Sequence, residues 1–458
     1  MISDIFAVPI IDKYLIYAPL HSLATLVDGR GAISLRRAIL EADYCPPATI
    51  EALLSTLRSP GSAAPQPRIG PINDPYFLGL IPTRLCNLSC LYCDFAGSRQ
   101  PGSIMKLTTA QEAIEAYFQL ARQSDLQKVE VHFFGGEPFF AENVVHFAVA
   151  YAESRAQELG LRVRFEATSN GVYNPERCRW IADYFDTIVL SLDGPEDIQE
   201  GQRPAKNGRK TAQTVIRNAR ILSEGPVELV IRSCVTQATV NRLPEIASWI
   251  ASEFIPSTVC FEALTPSILS KKAGLYPPDP WDFARNFILA SDILEEAGIE
   301  TALSTVVLHN LRTSFCPVGQ DALIISPDGS IDACYLMQDD WKRAGLDMHL
   351  GWLKDGKFQI DPEAVRRVRN NSVYDKPLCT ACLCHYHCAG GCHINHSVAH
   401  SGGAYDSLCL QTRLITIASL LKRLGQDSLM HTWLDDRRAL EISAWQSTDL
   451  LTSRGFFE

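Results

Sequence analysis

The sequence predicts an α/β protein whose centre is a run of six strand–helix units between residues 76 and 264. Two observations carry this. Short apolar segments rich in β-branched residues alternate with amphipathic stretches at regular spacing. The first four strands each end in a turn rich in glycine, cysteine or polar residues. Alternation of this kind points to a parallel sheet with right-handed crossovers, either a partial barrel or a doubly wound sheet. A third observation is cysteine placement, with one tight group at residues 86–93 and a second between residues 316 and 409.

In chain order, residues 1–60 read as strands at Ile5–Val8, Lys13–Ala18 and Ser22–Val27, then amphipathic helices near Ser34–Ala42 and Ala48–Arg58. Strands followed by helices suggest a small winged-helix-like unit. Residues 61–75 form a linker, introduced by Ser59-Pro-Gly-Ser-Ala-Ala-Pro-Gln-Pro67. The core, residues 76–264, has strands at Tyr76–Pro82, Val129–Phe134, Arg162–Ala167, Thr187–Leu190, Glu228–Val235 and Thr258–Ala263. Helices fall near Thr108–Arg122, Glu142–Glu158, Glu176–Phe185, Thr211–Ser223 and Leu243–Phe254, and the first starts on a capping box, Thr108-Thr-Ala-Gln111. Residues 265–315 bridge to the second cysteine group through a helix from Trp281 to Ala297. Residues 316–410 are cysteine-rich with little periodic pattern, so their order is expected to come from bound metal rather than from a large core. A helical tail occupies 411–458.

The 458-residue chain carries 42 Lys+Arg against 52 Asp+Glu, a formal charge of −10, which argues against a nucleic-acid binder. No apolar run reaches ~18 residues, so no membrane helix is expected. The N-terminus has no basic, then apolar, secretory pattern. Fifteen cysteines clustered in a chain of this kind read as metal ligands in a reducing cytoplasm.

Cys86-Asn-Leu-Ser-Cys90-Leu-Tyr-Cys93 follows the first core strand. Three thiolates on one loop can hold three irons of a [4Fe–4S] cube and leave the fourth iron open. A zinc loop fits this spacing poorly, because it places three cysteines too close together. Phe134-Gly135-Gly136-Glu137-Pro138 follows the second strand, Ser169-Asn170-Gly171 the third and Ser191-Leu192-Asp193-Gly194 the fourth. Loops at the carboxyl ends of parallel strands share one face, so these four turns converge. Gly135 and Gly136 expose backbone to a ligand, and Glu137 offers a carboxylate to an ammonium group.

With Tyr92 as the aromatic of C-x3-C-x-aromatic-C, followed by Gly-Gly-Glu-Pro, residues 76–264 resemble the radical S-adenosylmethionine (SAM) enzymes. The resemblance implies a partial (β/α)6 TIM-like barrel. It implies that Cys86, Cys90 and Cys93 ligate a cluster whose open iron is chelated by SAM. Tyr92 would pack near the adenine, and Gly135, Gly136, Glu137 and Pro138 would form the loop that holds the methionine amino group. Ser191 and Asn170 would contact ribose or methionine, and Arg203 would pair with a carboxylate. Cleavage of SAM would yield a 5′-deoxyadenosyl radical.

The later cysteines, Cys316-x12-Gly329-x4-Cys334, Cys379-x2-Cys382-x5-Cys388-x3-Cys392 and Cys409, resemble the SPASM extension of peptide and protein maturases. The resemblance implies two more [4Fe–4S] clusters, three in all. One is held by Cys379, Cys382, Cys388 and Cys409, the other by Cys316, Cys334 and Cys392. The second has an open iron or recruits His309 or a substrate group. His385, His387, His393, His396 and His400 are not needed as ligands, and Cys384 is a spare thiol. Cys45, Cys178, Cys234 and Cys260 read as core residues. The position after Cys334, an aspartate base in the sulfatase-maturating members, is Tyr335 here, a poor base near neutral pH. Modification of a ribosomally made precursor peptide is therefore placed ahead of formylglycine formation, which Asp332, Asp339 and Asp340 keep as the alternative. A non-catalytic iron–sulfur or zinc protein is the rival of another class. The N-terminal unit resembles leader-recognition domains, which take a peptide as an added strand. The implied partners are a precursor peptide, bound through its leader, and an electron donor such as flavodoxin or ferredoxin.

Overall fold

The computed structural model describes residues 4–93, 95, 103–316, 322–396 and 404–451. The N-terminal unit has strands β1 (Phe6–Ile10), β2 (Lys13–Ala18) and β3 (Leu23–Asp28), then helices α1 (Gly29–Leu40) and α2 (Ala48–Arg58). Asp28 caps α1 by accepting from the Gly31 amide, which starts that helix earlier than its apolar pattern suggests. Ile5, Ala7 and Ile16 pack under Leu35, Ile50 and Leu57 to form a small core of their own.

The core alternates β4 (Phe77–Leu80), α3 (Leu107–Gln123), β5 (Lys128–Phe133), α4 (Glu142–Leu159), β6 (Arg162–Ser169), α5 (Pro175–Tyr184) and β7 (Thr187–Ser191). It continues with α6 (Glu196–Gln202), α7 (Ala212–Glu224), β8 (Glu228–Val235), α8 (Leu243–Glu253) and β9 (Thr258–Ala263). Strands β4 to β9 pair in sequence order and in parallel, as the six-unit reading requires. Residues facing the helices are apolar, among them Val131, Phe133, Phe165, Ile188, Ile231 and Phe261. Their neighbours on the inner face include Glu130, His132, Glu166, Arg232 and Glu262, so the inside of this partial barrel is polar. One local expectation fails. Helix α3 is entered from extended Lys106 with no side-chain cap, so Thr108 already lies inside the first turn and forms no capping box.

Beyond β9, a short helix α9 (Ile268–Lys272) and the long α10 (Pro280–Glu296) lead to β10 (Glu300–Ala302), a further parallel strand beside β9. The cysteine-rich region holds more regular structure than its sequence pattern suggests. It forms β11 (Ala322–Ile325), β12 (Ser330–Asp332), helix α11 (Gln338–Arg343), β13 (His349–Lys354), β14 (Lys357–Ile360) and helix α12 (Pro362–Arg369). Strand β11 pairs in parallel with β4, and β12 to β14 continue the same sheet in antiparallel sense. The order is β10-β9-β8-β7-β6-β5-β4-β11-β12-β13-β14. Leu323, Ile325, Ile331, Leu350 and Val365 join the main core, so this half of the region is ordered by packing. The part from 373 to 396 contains only short helical turns, including α13 (His385–Cys388).

The tail helix α14 spans Ser407–Arg423, so it starts ahead of the expected boundary at 410 and carries Cys409 in its first turn. Asp406 caps it by accepting from the Cys409 amide. Helices α15 (Asp427–Asp435) and α16 (Arg437–Gln446) lead to β15 (Thr448–Asp449), which pairs with β1. The N-terminal sheet therefore runs β15-β1-β2-β3, with β3 at its open edge. No helix among the described residues is long and apolar enough to cross a membrane.

Candidate active site

The carboxyl ends of β4 to β9 surround a cavity of about 270 Å³. Cys86, Cys90, Tyr92, Cys93, Gly135, Gly136, Glu137, Asn170, Ser191 and Arg203 all line it, so the structure brings these sequence-derived candidates to one place. Pro138 is buried directly behind, at the start of a short helical turn. The three thiols lie within electrostatic reach of one another. Burial pushes Cys86 up to about 11 and Cys90 to about 12, so a bound cation is what would make them thiolates. Three sulfurs from one loop, facing a cavity, fit a cube with one open iron.

Two neighbouring segments hold this loop. The stretch 202–206 zips against it through main-chain bonds from Ser89 to Pro204 (2.7 Å), Leu91 to Gln202 (3.0 Å) and Lys206 to Asn87 (3.1 Å). The Gly-Gly-Glu-Pro loop docks on its near side, with the Gly136 amide on Thr83 O and the Glu137 amide on Leu85 O. A Cβ at Gly135 would collide with the Thr83 carbonyl, and one at Gly136 with those of Arg84 and Leu85. Both glycines thus serve the approach of one loop to another.

Asp193, part of the fourth turn but given no role by the sequence, is central to the site. It is buried and accepts from four donors, namely Tyr92 Oη (2.6 Å), Gln202 Nε2 (2.8 Å), Arg203 Nη2 (2.9 Å) and the Cys234 amide (2.9 Å). Arg203 is buried, pairs with Asp193 and lies over the Tyr92 ring at 5.4 Å. Its carboxylate partner is therefore in this chain. Glu137 is clamped by Ser169 Oγ (2.9 Å) and by the amides of Asn170 (2.7 Å) and Phe139 (3.3 Å). Burial lifts its carboxyl to about 7 against these donors. Asn170 Nδ2 reaches Asn87 Oδ1 (2.7 Å) and Cys86 Sγ (3.4 Å), so its amide supports the cysteine loop.

Arg232, Cys234, Glu262, Thr265, Leu336 and Asn395 also line it. The first three lie on the inner faces of β8 and β9, in register pairs Arg232↔Cys260 and Cys234↔Glu262. Polar residues at alternate positions of otherwise apolar strands were the available signal. Cys234 lines the cavity rather than the core, and Cys260 occupies the same inner face beside Glu262. Cys45 is exposed in the loop between α1 and α2, and only Cys178 is fully buried among these four.

The Radical SAM superfamily model matches residues 80–248. This is a radical SAM domain. The chain is similar to the cysteine-type anaerobic sulfatase-maturating enzyme of Clostridium novyi (strain NT), with 22% identity over 348 residues, 70% of this chain and 89% of the relative. It is also similar to the radical SAM cyclopropyl synthase TigE of Paramaledivibacter caminithermalis, with 20% identity over 335 residues, 68% of this chain and 66% of the relative. Among solved structures, anSMEcpe with bound AdoMet and a Cp18Cys peptide superposes with a TM-score of 0.60 at 18% identity, covering 77% of this chain and 99% of that one. That likeness shows a shared fold.

Beside the radical SAM domain, the seven later cysteines sort into two neighbourhoods. Cys334 lies near Cys316 and Cys392. Cys379 and Cys409 each lie near Cys382 and Cys388. Arg413 Nη1 reaches Cys382 Sγ at 3.0 Å, a donor suited to a metal-bound sulfur. His309 is exposed. His385, His387 and His393 bond to Cys379 O, Thr416 Oγ1 and Ser314 Oγ, whereas His396 sits against Asp406 and 3.4 Å from Cys409 Sγ. His400 lies outside the described residues. Cys384 is buried at the Thr416 hydroxyl. Tyr335 packs between Phe77 and the cavity-lining Phe134 without itself lining the cavity, and burial raises its phenol further. Asp332 is engaged by His349, Asp340 by Arg343, and Asp339 is exposed.

Proposed function

We propose that this radical SAM enzyme is a maturase that modifies a side chain or Cα of a ribosomally made precursor peptide. In this reading Cys86, Cys90 and Cys93 hold the SAM-binding cluster, and the later cysteines hold two auxiliary clusters in the sets given above. SAM on the first cluster supplies a 5′-deoxyadenosyl radical. The chain's own groups position it. Glu137 and the Gly135–Gly136 main chain receive the methionine ammonium, Tyr92, held by Asp193, borders the adenine, and Ser191 borders the ribose. Arg232, Glu262 and Asn395 then form the wall open to substrate. An external flavodoxin or ferredoxin would supply electrons in a reducing cytoplasm.

The observation that favours a peptide with a leader is the edge of β3. The opposite edge of the N-terminal sheet is taken by β15, whereas β3 opens on a groove of about 680 Å³. Leu23, Leu26, Val27, Ile50, Ala52 and Leu53 line that groove. An extended peptide could add there as a strand and bury apolar side chains against α2.

Formylglycine formation is the second reading, favoured by the similarity to sulfatase-maturating enzymes. It would need a base other than Tyr335, and Glu262 is the lining carboxylate nearest that role. The test is incubation of the reconstituted enzyme with SAM, reductant and, separately, a leader-bearing peptide encoded beside the gene and a sulfatase-derived Cys or Ser peptide. The expected result is a mass change in the first with matching 5′-deoxyadenosine. Conversion of the second to formylglycine would reverse the order of the readings. Retention of 5′-deoxyadenosine production by the Cys86, Cys90 and Cys93 triple alanine variant would overturn both.

A further inference from the structure

Two cations, Lys376 buried and Arg312 half-buried, lie within electrostatic reach of cysteines from both later sets. Lys376 is fully buried, and its ammonium donates to Gly390 O (3.1 Å) and Gly391 O (3.4 Å). Those glycines occupy the spacer Cys388-Ala-Gly-Gly-Cys392, which joins a cysteine of one set to a cysteine of the other. Both have positive φ, 79° and 67°, which turns their carbonyls onto the ammonium, and a Cβ at Gly390 would occupy the lysine's own space. The Lys376 carbonyl also accepts the Cys379 amide at 2.9 Å. One residue thus contacts two cysteine-bearing segments, one of which joins the two sets. Its charge acts on Cys379 and Cys388 of one set and on Cys392 and Cys316 of the other.

Arg312 repeats the arrangement. Its guanidinium donates to His387 O (2.9 and 2.7 Å) and Ser304 O (2.8 Å), and its charge faces Cys388 and Cys316. The acceptors of both side chains are main-chain carbonyls. A buried cation held only by neutral acceptors needs a nearby negative group to offset its desolvation. Here the groups at hand are the cysteine sulfurs. Arg413 differs, since it reaches Cys382 of one set only.

We propose that Lys376 and Arg312 form a positive bridge shared by the two auxiliary clusters and hold both at less negative reduction potentials. This rests on the reading that the seven cysteines bind two [4Fe–4S] cubes. Reduction adds one electron and no proton to a cube, so net negative charge grows by one and a neighbouring cation favours the reduced form. A cation facing both cubes must act on both couples.

The test is a dithionite titration of the reconstituted holoenzyme followed by electron paramagnetic resonance. Lys376→Met is expected to move both auxiliary couples to more negative potentials, and Lys376→Arg to keep them near wild type. Arg413→Gln is expected to move one. The couple of the cluster at Cys86 should stay in place throughout. Unchanged potentials in Lys376→Met at wild-type iron content, or movement of a single auxiliary couple, would overturn the bridge. Should Met at 376 cost iron, Arg312→Gln is judged by the same criterion. Iron analysis separates the two levels. Fewer than about twelve irons in the wild type would refute the cluster reading itself.

Discussion

At the residue scale, the site depends on two carboxylates with opposite tasks. Asp193 is structural, because its four donors saturate it and its partner Arg203 has no other carboxylate in contact among the described residues. Asp193→Ala leaves a buried guanidinium unpaired and is expected to cost roughly 3–5 kcal/mol in urea unfolding. Tyr92→Phe, which removes one hydrogen bond to the same carboxylate, should cost less, roughly 1.5–3 kcal/mol. Equal costs for the two variants would contradict the assignment. Glu137, proposed above to receive the methionine ammonium, is set by its proton balance. Its carboxyl, raised from 4.5 to about 7, holds a proton below that pH, and an ammonium docking against it must expel the proton. SAM affinity should therefore fall roughly tenfold per unit as pH drops below about 7, level off above it, and lose this slope in Glu137→Gln. Calorimetric titration across pH decides it. Glu137 was legible in the sequence because its motif is contiguous. Asp193 was not, because its donors come from positions 92, 202, 203 and 234, which only the fold assembles.

At the scale of elements, the six parallel strands were readable because strands covered by helices must be apolar on that face, and Glu228–Val235 and Thr258–Ala263 begin and end where the alternation does. Strands β11 to β14 were not, because each has three to six residues and they lie between cysteine-bearing turns, too short for a period to show. The β3 edge carries a prediction of its own. Ala52 is an exposed groove residue on α2, and Ala52→Arg would fill the space beside the strand. Affinity for a leader-bearing peptide should weaken by roughly tenfold or more, about 1.4 kcal/mol. Turnover of a leaderless peptide serves as the control. Undiminished affinity in fluorescence anisotropy would remove the groove from the binding surface.

For the molecule as a whole, one sheet runs from the barrel into the cysteine-rich region through the β4–β11 pairing. On the proposed reading that the later cysteines bind iron, its removal should therefore loosen that region unevenly. Chelation is expected to speed amide exchange over residues 373–396, where only short turns occur, while β11 to β13 stay protected by their ladder and by Ile325, Ile331 and Leu350 in the core. Uniform loss of protection across 322–396 would show that metal orders the strands too. The pairing of β15 with β1 has a different kind of consequence. Leu450 sits in the small core under β1, the Leu450 amide bonds Ile5 O at 2.8 Å, and Arg36 holds the Leu450 carbonyl. The N-terminal sheet and its small core are thus completed by residues 448–450. Without that strand and Leu450 the unit stays part-built, so residues 4–60 cut out by themselves would be a poor transplantable module.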